Sequence, residues 1–364
     1  MPDELLKQIP YPIEGSRINL VVTKDFGQEK FVNFYGHMDV VPAPNDGEKK
    51  WRYPPFEATM TKGGKIFGRG ASDRKGSLVC VILALQIIKN LNIKPKYNIR
   101  VLNCTDEEIG VYPGVQYLEE QGYIKDIVFN TEGGIMPVLA IGAAGALDVI
   151  VETVGRSAHS GLDLWGVNAL EAMIPILNEL MALKAEVIKR QSKDIPGVPN
   201  FKTGEKRNMM AKFNTDVIRS GEKSNIIPDL CTIAVNRRYL PDEKYEDVKQ
   251  EIQDAIDRGT AKSKALDVRT QYIHIYPPFT NDPNSPACLR LRKVMSLVQN
   301  IPENEIRSMG GSGSTDMGVL TGYDVIIHGV TGAGSNNHGV NEFIKWSDVK
   351  LYTKELLAFL CADF

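Results

Sequence analysis

Hydrophobic and polar positions in the first third of the chain form two alternating kinds of pattern. Short apolar runs rich in β-branched and aromatic residues predict strands at Phe31–Tyr35, Asn98–Cys104 and Ile127–Asn130. Longer apolar segments predict helices at Gly76–Asn90, which is apolar enough to be buried on most sides, and near Val115–Gln121. Strands joined by crossover helices in this order predict a mostly parallel sheet that is covered by helices.

Near Gly145 the pattern changes, and apolar and polar residues begin to alternate strictly. The elements predicted beyond this point are strands at Leu147–Val154, Phe213–Ile218, Cys231–Tyr239 and Val268–Tyr276, and helices at Val167–Arg190 and Asp242–Arg258. Their order is that of a ferredoxin-like unit, a four-stranded antiparallel sheet with two helices on one face. The polar segment 191–208 is expected to be a loop.

The first kind of pattern returns near the end of the chain. A helix is predicted from Pro286 to Asn300, a strand over Asp324–Val330 and a terminal helix from Ser347. We therefore predict an α/β fold in which one domain, residues 1–146 and 281–364, is interrupted by an inserted α+β domain, residues 147–280. The length supports two domains, because 364 residues exceed what one hydrophobic core usually holds.

Composition narrows the class of protein. With 43 basic and 45 acidic residues the net charge is −2, which argues against a nucleic-acid-binding protein. The longest apolar run, Leu78–Leu85, is far below the roughly 18 residues of a membrane helix, and the amino terminus lacks an apolar signal core. Five scattered cysteines without a C-x-x-C pair indicate reduced thiols and a cytoplasmic location.

Two positions early in the chain are candidate metal ligands. His37, one of only five histidines, precedes Asp39 by two residues, so that both side chains would lie on one face of an extended segment. A metal-bound imidazole commonly donates its other N–H to a carboxylate, although His37 could also simply cap its strand. Asp73 begins the predicted buried helix between glycines; it could be an N-cap, a ligand, or both.

Further acids and a histidine follow other strands. Glu107 and Glu108 follow the strand that ends at Cys104, Glu132 follows the next strand, and His338 lies in a late glycine-rich turn. Any one of them could be a solvated loop residue, but in an open α/β sheet ligands bind at the carboxyl ends of strands. Two histidines and several carboxylates suit zinc, cobalt or manganese, and so many ligands favour two ions sharing a carboxylate.

Several motifs occur in one order along the whole chain: GHMDVVP, GRGASDRKG, TDEEIG, TEGG, GRSAHSG with GVNAL, NIIP and HGVNEF. In this set the chain resembles the dinuclear zinc amidohydrolases and carboxypeptidases that include acetylornithine deacetylase, succinyl-diaminopimelate desuccinylase, aminoacylase and glutamate carboxypeptidase. The resemblance implies a catalytic α/β domain with an inserted lid that dimerises. It therefore implies a homodimer and two divalent metal ions per subunit, zinc before cobalt or manganese.

The resemblance also implies a role for each residue of the catalytic domain. Asp73 would bridge the two ions, His37 and Glu132 would complete one metal site, and Glu108 and His338 would complete the other. Glu107 would be the general base that acts on the water between the ions and then passes its proton to the leaving amine. Asp39 would orient His37.

In and near the inserted domain the resemblance implies an oxyanion donor and substrate contacts. His159 would reach the cleft of the partner subunit and stabilise the tetrahedral oxyanion. Arg238 and Asn225 would bind a substrate carboxylate, with Ser314 and Thr315 nearby, although Arg238 could instead form a salt bridge on the sheet. His274 and His328 match no motif and are expected to be structural.

The chain departs from the family pattern in two places. Asn236 stands where an aspartate often precedes the arginine by two residues. The arginine that often follows the GGSGSTD loop is missing, with Met317 and Gly318 in its place. Both departures concern substrate binding, so the substrate is the least determined part of the prediction.

The resulting hypothesis is a metal-dependent hydrolase that cleaves the amide bond of an N-acyl amino acid. A carboxypeptidase or dipeptidase with the same mechanism is the alternative. A catalytically silent binding protein would have lost a ligand or the base, and all those positions are filled here. A monomeric aminopeptidase of related architecture would have no use for an inserted dimerisation unit.

Overall fold

A computed structural model describes residues 3–7, 9, 15–44, 50–200 and 202–364. The helices are α1 (Asp3–Leu6), α2 (Gly76–Asn90), α3 (Gly114–Glu120), α4 (Ala169–Val187), α5 (Tyr245–Thr260), α6 (Pro286–Gln299) and α7 (Trp346–Cys361). Short 3-10 helices cover Ser160–Trp165, Glu303–Glu305 and Asp316–Val319, and a π turn covers Ala71–Lys75.

The strands are short in the first part of the chain and long in the middle. They are β1 (Leu20–Lys24), β2 (Phe31–His37), β3 (Thr59–Met60), β4 (Lys65–Phe67), β5 (Asn98–Cys104), β6 (Ile127–Asn130), β7 (Val138–Ala143), β8 (Gly145–Val154), β9 (Gln191–Pro196), β10 (Asn208–Met210), β11 (Lys212–Ser220), β12 (Leu230–Tyr239), β13 (Asp267–Tyr276), β14 (Phe279–Thr280), β15 (Arg307–Gly311), β16 (Asp324–Ile327) and β17 (Phe343–Lys345).

The chain divides into two compact units. The larger unit comprises Met1–Ile141, Asn281–Met309 and Val319–Phe364, and the smaller unit comprises Gly142–Thr280 and Gly310–Gly318. The segment 310–318, assigned to the first domain from sequence, thus packs with the smaller unit. One reason is that the Ser312 hydroxyl donates a hydrogen bond to the Met210 carbonyl oxygen at 2.8 Å.

The main sheet of the larger unit has the strand order β1-β5-β2-β6-β16. Only the edge strand β1 is antiparallel to its neighbour, so the predicted mostly parallel sheet is confirmed. In the parallel register His37 lies opposite Cys104, and Tyr35 lies opposite Asn130. The loops that follow β2, β5 and β6 therefore all start at the carboxyl end of the sheet.

The sheet of the smaller unit has the order β11-β12-β8-β13, and every neighbouring pair is antiparallel. Alternate residues of β8 and β12 are buried in a core with α4 and α5. Helix α4 begins at the N-cap Asn168, whose side chain accepts amide hydrogen bonds, and it continues past Pro175. The predicted ferredoxin-like unit is confirmed.

Three local predictions need correction. The segment 191–208 is no plain loop, because Gln191–Pro196 forms strand β9, which pairs antiparallel with β10 at the end of the segment. Asp73 does not cap α2, which begins after Lys75 without a side-chain cap. The strand predicted to run to Val330 ends at Ile327, so that His328 follows it and lies buried 2.9 Å from Glu355 Oε2.

Two further properties concern the described residues as a whole. Within them, no helix combines the length and the apolar character that crossing a membrane requires. The five cysteines are all free thiols, four of them buried and Cys361 partly exposed. This agrees with the expectation of unpaired cysteines.

Candidate metal centre and active site

Six predicted residues of the larger unit meet at the carboxyl end of its main sheet. We call them the ligand cluster: His37, Asp73, Glu107, Glu108, Glu132 and His338. His37 is the last residue of β2, the glutamates follow β5 and β6, and Asp73 lies in the π turn before α2. His338 has a φ of 60°, in the left-handed region that few non-glycine residues adopt and that is often found at functional sites.

Asp73 lies between the two histidines. Its Oδ1 is 3.3 Å from His37 Nε2, and its Oδ2 is 3.1 Å from His338 Nε2. One carboxylate thus presents a different oxygen to each imidazole. A carboxylate placed in this way could bind a cation beside each imidazole.

The two adjacent glutamates approach different histidines. Glu107 Oε2 is 3.8 Å from His37 Nε2, and Glu108 Oε2 is 3.4 Å from His338 Nε2. Potential ligand atoms of Asp73, Glu108 and His338 lie within 4.8 Å of one another. Glu108 Oε1 is buried and has no hydrogen-bond partner among the described residues, and a buried orphan carboxylate oxygen fits a cation.

Asp39 contacts His37 mainly through its backbone. His37 Nδ1 is 2.9 Å from the Asp39 carbonyl oxygen and 3.5 Å from its carboxylate. With Nδ1 donating to that carbonyl, Nε2 has a lone pair for a metal. The Asp39 carboxylate instead accepts the backbone amide of Glu108 at 3.0 Å, so Asp39 links the β2 and β5 loops.

Glu132 has a partner that sequence reasoning did not anticipate. Its Oε1 is 3.9 Å from His37 Nε2 and forms an ion pair with Arg74, which is only 1% exposed. Asn130 donates to the other oxygen at 3.1 Å and accepts from Arg74 at 3.1 Å. Arg74 follows Asp73 directly in the DRKG motif. This adjacency to a candidate ligand was the one sign in the sequence that Arg74 could lie in the cluster.

The charges of the cluster are strongly coupled. Burial and Arg74 lower the pKa of His37, but Asp39, Asp73 and Glu107 outweigh them and raise it to about 10. Hydrogen bonds with Asp73 and Glu108 raise the pKa of His338 to about 10. Burial favours the neutral form of Asp73, yet both histidines hold its pKa well below the usual range. The carboxylates of the cluster therefore stabilise positive charge beside them. Without metal, that charge is the added proton on each histidine.

Glu342, in the HGVNEF motif, is a second residue that sequence reasoning left without a role. Its buried carboxylate accepts the backbone amides of Gly70, Ser72 and Asp73 at 2.8–2.9 Å. It also pairs with the Arg69 guanidinium at 2.7 Å. Arg69 in turn donates to the His338 carbonyl oxygen at 3.3 Å. Glu342 thus holds the turn that carries Asp73.

In the smaller unit His159 and Asn225 lie side by side. The backbone amide of Ser160 donates to the Asn225 carbonyl oxygen at 3.0 Å, and His159 forms a bridge with Ile226. His159 Nδ1 accepts the Gly161 amide at 3.0 Å. A neutral ring then carries its proton on Nε2, which suits a donor to an oxyanion.

The other predicted substrate residues form a second group in the smaller unit. Arg238 Nη1 donates to the hydroxyl of Ser314, and Arg238 Nε donates to Asn236 Oδ1 at 2.9 Å. Thr315 is buried, and its hydroxyl oxygen accepts the backbone amide of Met317 at 3.3 Å. The Arg238 Nε thus donates to an amide oxygen of the sheet.

Comparison with known proteins bears on this site. Residues 33–362 match the family described as Peptidase family M20/M25/M40. A probable succinyl-diaminopimelate desuccinylase of Staphylococcus epidermidis is 28% identical over 349 residues, covering 92% of this chain and 83% of the relative.

Two solved structures share the fold at low identity. An M20 family metallo-carboxypeptidase from Sulfolobus solfataricus has a TM-score of 0.76 at 19% identity, covering 98% of this chain and 91% of its own. The dipeptidase Dug1p from Saccharomyces cerevisiae has a TM-score of 0.76 at 20% identity, covering 98% and 88%. With the family matched over nearly the whole chain, this protein belongs to the M20/M25/M40 peptidase family and is a hydrolase.

Proposed function

We propose that this hydrolase cleaves the amide bond of N-acyl amino acids that carry a free α-carboxylate. The observation that carries the proposal is the placement of Asp73 between His37 and His338, with Glu107 beside His37. Two imidazoles on opposite oxygens of one carboxylate, and a further carboxylate next to them, suit hydrolysis with a shared pair of cations.

The cofactor in this proposal is two divalent ions, with zinc preferred over cobalt or manganese. His37, Glu132 and Asp73 would hold one ion, and Glu108, His338 and Asp73 the other; the orphan Glu108 Oε1 fits this assignment. Bound there, the ions would activate water for attack and stabilise developing negative charge. Arg74 keeps Glu132 oriented through their ion pair.

Glu107 is the proposed general base. It accepts a proton from the attacking water and delivers it to the leaving nitrogen, so that the amine departs uncharged. Its position near His37 and its place in the same turn as Glu108 support this role. Asp39 holds the loops of His37 and Glu108 together, because its carbonyl oxygen contacts His37 and its carboxylate accepts the Glu108 amide.

His159 is proposed to donate a hydrogen bond to the oxyanion in the partner's active site within a homodimer. The smaller unit offers a dimerisation surface, because β11 is an edge strand with exposed Ile218 and α4 exposes Ile174. If this surface packed against the same surface of a second subunit about a two-fold axis, the assembly would end at the dimer. Removing an oxyanion donor typically lowers the rate about 10²–10³-fold.

Substrate selection is assigned to the smaller unit. Arg238 and Asn225 would bind the α-carboxylate, with Ser314 and Thr315 beside them; a guanidinium can contact both carboxylate oxygens at once. The desuccinylase relative supports an acyl amino acid, whereas the solved carboxypeptidase and dipeptidase support a short peptide as the alternative. A cytoplasmic location is also part of the proposal.

The test is a substrate panel assayed after loading with zinc or cobalt. The panel contains N-acetyl and N-succinyl amino acids, dipeptides, and the α-carboxamide of each. We expect metal-dependent hydrolysis of an N-acyl amino acid and a strong preference for the free carboxylate. Preferential hydrolysis of dipeptides would establish the alternative. Full activity without metal, or indifference to the carboxylate, would contradict the proposal.

A further inference from the structure

Arg238 belongs to a chain of polar contacts that crosses two strands of the smaller unit. Asn236 Oδ1 accepts from Arg238 Nε at 2.9 Å, and Asn236 Nδ2 donates to Asp148 Oδ1 at 2.6 Å. Asn236 on β12 pairs directly with Asp148 on β8 in the antiparallel register. Arg238 is two residues further along β12, and its side chain therefore lies on the same face of the sheet.

The chemistry of this contact chain explains why residue 236 is an asparagine. Its side chain must accept from the guanidinium on one side and donate to the Asp148 carboxylate on the other, and a carboxamide does both. An aspartate at residue 236 would place two carboxylates within 2.6 Å of each other. The negative charge of this contact chain is therefore on Asp148, one strand away from Arg238.

The same contacts fix the guanidinium from two directions. Asn236 holds the Nε edge, and Ser314 accepts from Nη1. Because the Asn236 amide is itself held by Asp148, its orientation is determined and it cannot turn its NH₂ group toward Arg238 without losing both bonds.

We propose that Asp148 and Asn236 are positioning residues that orient Arg238 for the α-carboxylate of the substrate. This inference rests on the proposed function, in which Arg238 binds that carboxylate. Asp148 supplies the charge that complements Arg238, and the neutral Asn236 transmits the orientation without bringing a carboxylate against the guanidinium itself. The pair thereby determines how strongly the protein prefers acids over neutral analogues.

The first test needs no substrate and uses a charge exchange. Asn236→Asp places like charges together, whereas the double variant Asp148→Asn/Asn236→Asp restores a donor opposite an acceptor. We expect the unfolding temperature to fall in Asn236→Asp and to recover in the double variant. Glu152→Gln is the control for Asp148→Asn, since it makes the same carboxylate-to-amide change on β8, at a residue that accepts from Thr232. A double variant as unstable as Asn236→Asp would overturn the contact chain.

The second test separates positioning from a merely structural role. It compares the best substrate of the panel above with its α-carboxamide. Asn236→Asp loses the hydrogen bond to the Asp148 carboxylate. It should therefore raise KM for the acid about tenfold, with little change in kcat. The carboxamide should be affected much less, and the double variant should recover. Equal KM changes for acid and carboxamide would overturn the inference.

Arg238→Gln distinguishes failure of the inference from failure of the proposed function. If Arg238→Gln leaves the preference for the acid intact, the proposed carboxylate contact is wrong. If Arg238→Gln abolishes the preference while both Asp148→Asn and Asn236→Asp retain it, the contact stands and the positioning role is wrong.

Discussion

The carboxylate of Glu342 accepts the backbone amide of Asp73 at 2.9 Å, and so a residue near the end of the chain holds the central acid of the ligand cluster. Glu342 is fully buried. Among the described residues, Arg69 is the one cationic side chain in contact with it, at 2.7 Å. Position 73 is thereby fixed by a contact that spans 269 residues.

We predict that Glu342→Ala destabilises the protein strongly and weakens metal binding. Truncation leaves the buried Arg69 without its carboxylate, and losing one partner of a buried ion pair commonly costs about 3–5 kcal/mol. Thermal unfolding and metal content by elemental analysis measure the two effects. Glu305→Gln, at an exposed position, is the control. Normal stability and metal content in Glu342→Ala would contradict the role assigned to Glu342.

Glu107→Gln should keep both metal ions and lose activity by about 10²–10⁴-fold, because the variant retains size and polarity but no longer accepts a proton. Glu108→Gln should instead reduce metal content, since Glu108 contacts His338 and carries the orphan oxygen. Elemental analysis alongside steady-state kinetics distinguishes the two. Normal turnover by Glu107→Gln would show that Glu107 is not the base.

Metal affinity should increase with pH. The metal-free protein carries protons on His37 and His338, whose pKa values are raised from 6.5 to about 10, and metal binding must displace them. Each released proton makes the apparent affinity fall about tenfold per unit decrease in pH. Zinc titration at pH 6, 7 and 8 measures this slope. An affinity independent of pH would show that metal binding displaces no protons from the histidines.

The same pKa values define how the metal-free fold responds to pH. Because the folded-state pKa of each histidine lies above its ordinary value, the stabilisation from these pairs is fully present below pH 6.5. It is lost as the pH rises through about 10. Unfolding of the chelator-treated protein across this range should therefore show falling stability toward alkaline pH. Added zinc should abolish much of that dependence.

Mixing His159→Ala with Glu107→Gln should restore part of the activity if His159 acts in the partner's active site. A mixed dimer then contains one site with an intact base and the partner's intact His159. Subunit exchange is followed with two differently tagged variants, and each inactive variant mixed with its own tagged copy is the control. No recovery despite measured exchange would show that His159 acts within its own chain or has no role.

The two-part architecture could be predicted from the amino-acid sequence, because apolar runs joined by helices and strictly alternating strands are local patterns. The candidates that lie together in the ligand cluster could also be picked out from the sequence, since each lies near glycines or after a predicted strand. Strand β9 was missed because its sequence QSKDIP is mostly polar, and polar strands lack the alternation that marks a half-buried sheet.

The contacts that hold those residues in place could not be predicted from the sequence and appear only in the folded chain. Glu342 is hydrogen-bonded to the turn of Asp73, Arg74 is paired with Glu132, and Asn236 joins Arg238 to Asp148. Each contact depends on register between strands or on the meeting of distant loops, which no local pattern encodes. A buried polar group has to find its partner wherever the folded chain places one, and that requirement appears only when the fold is complete.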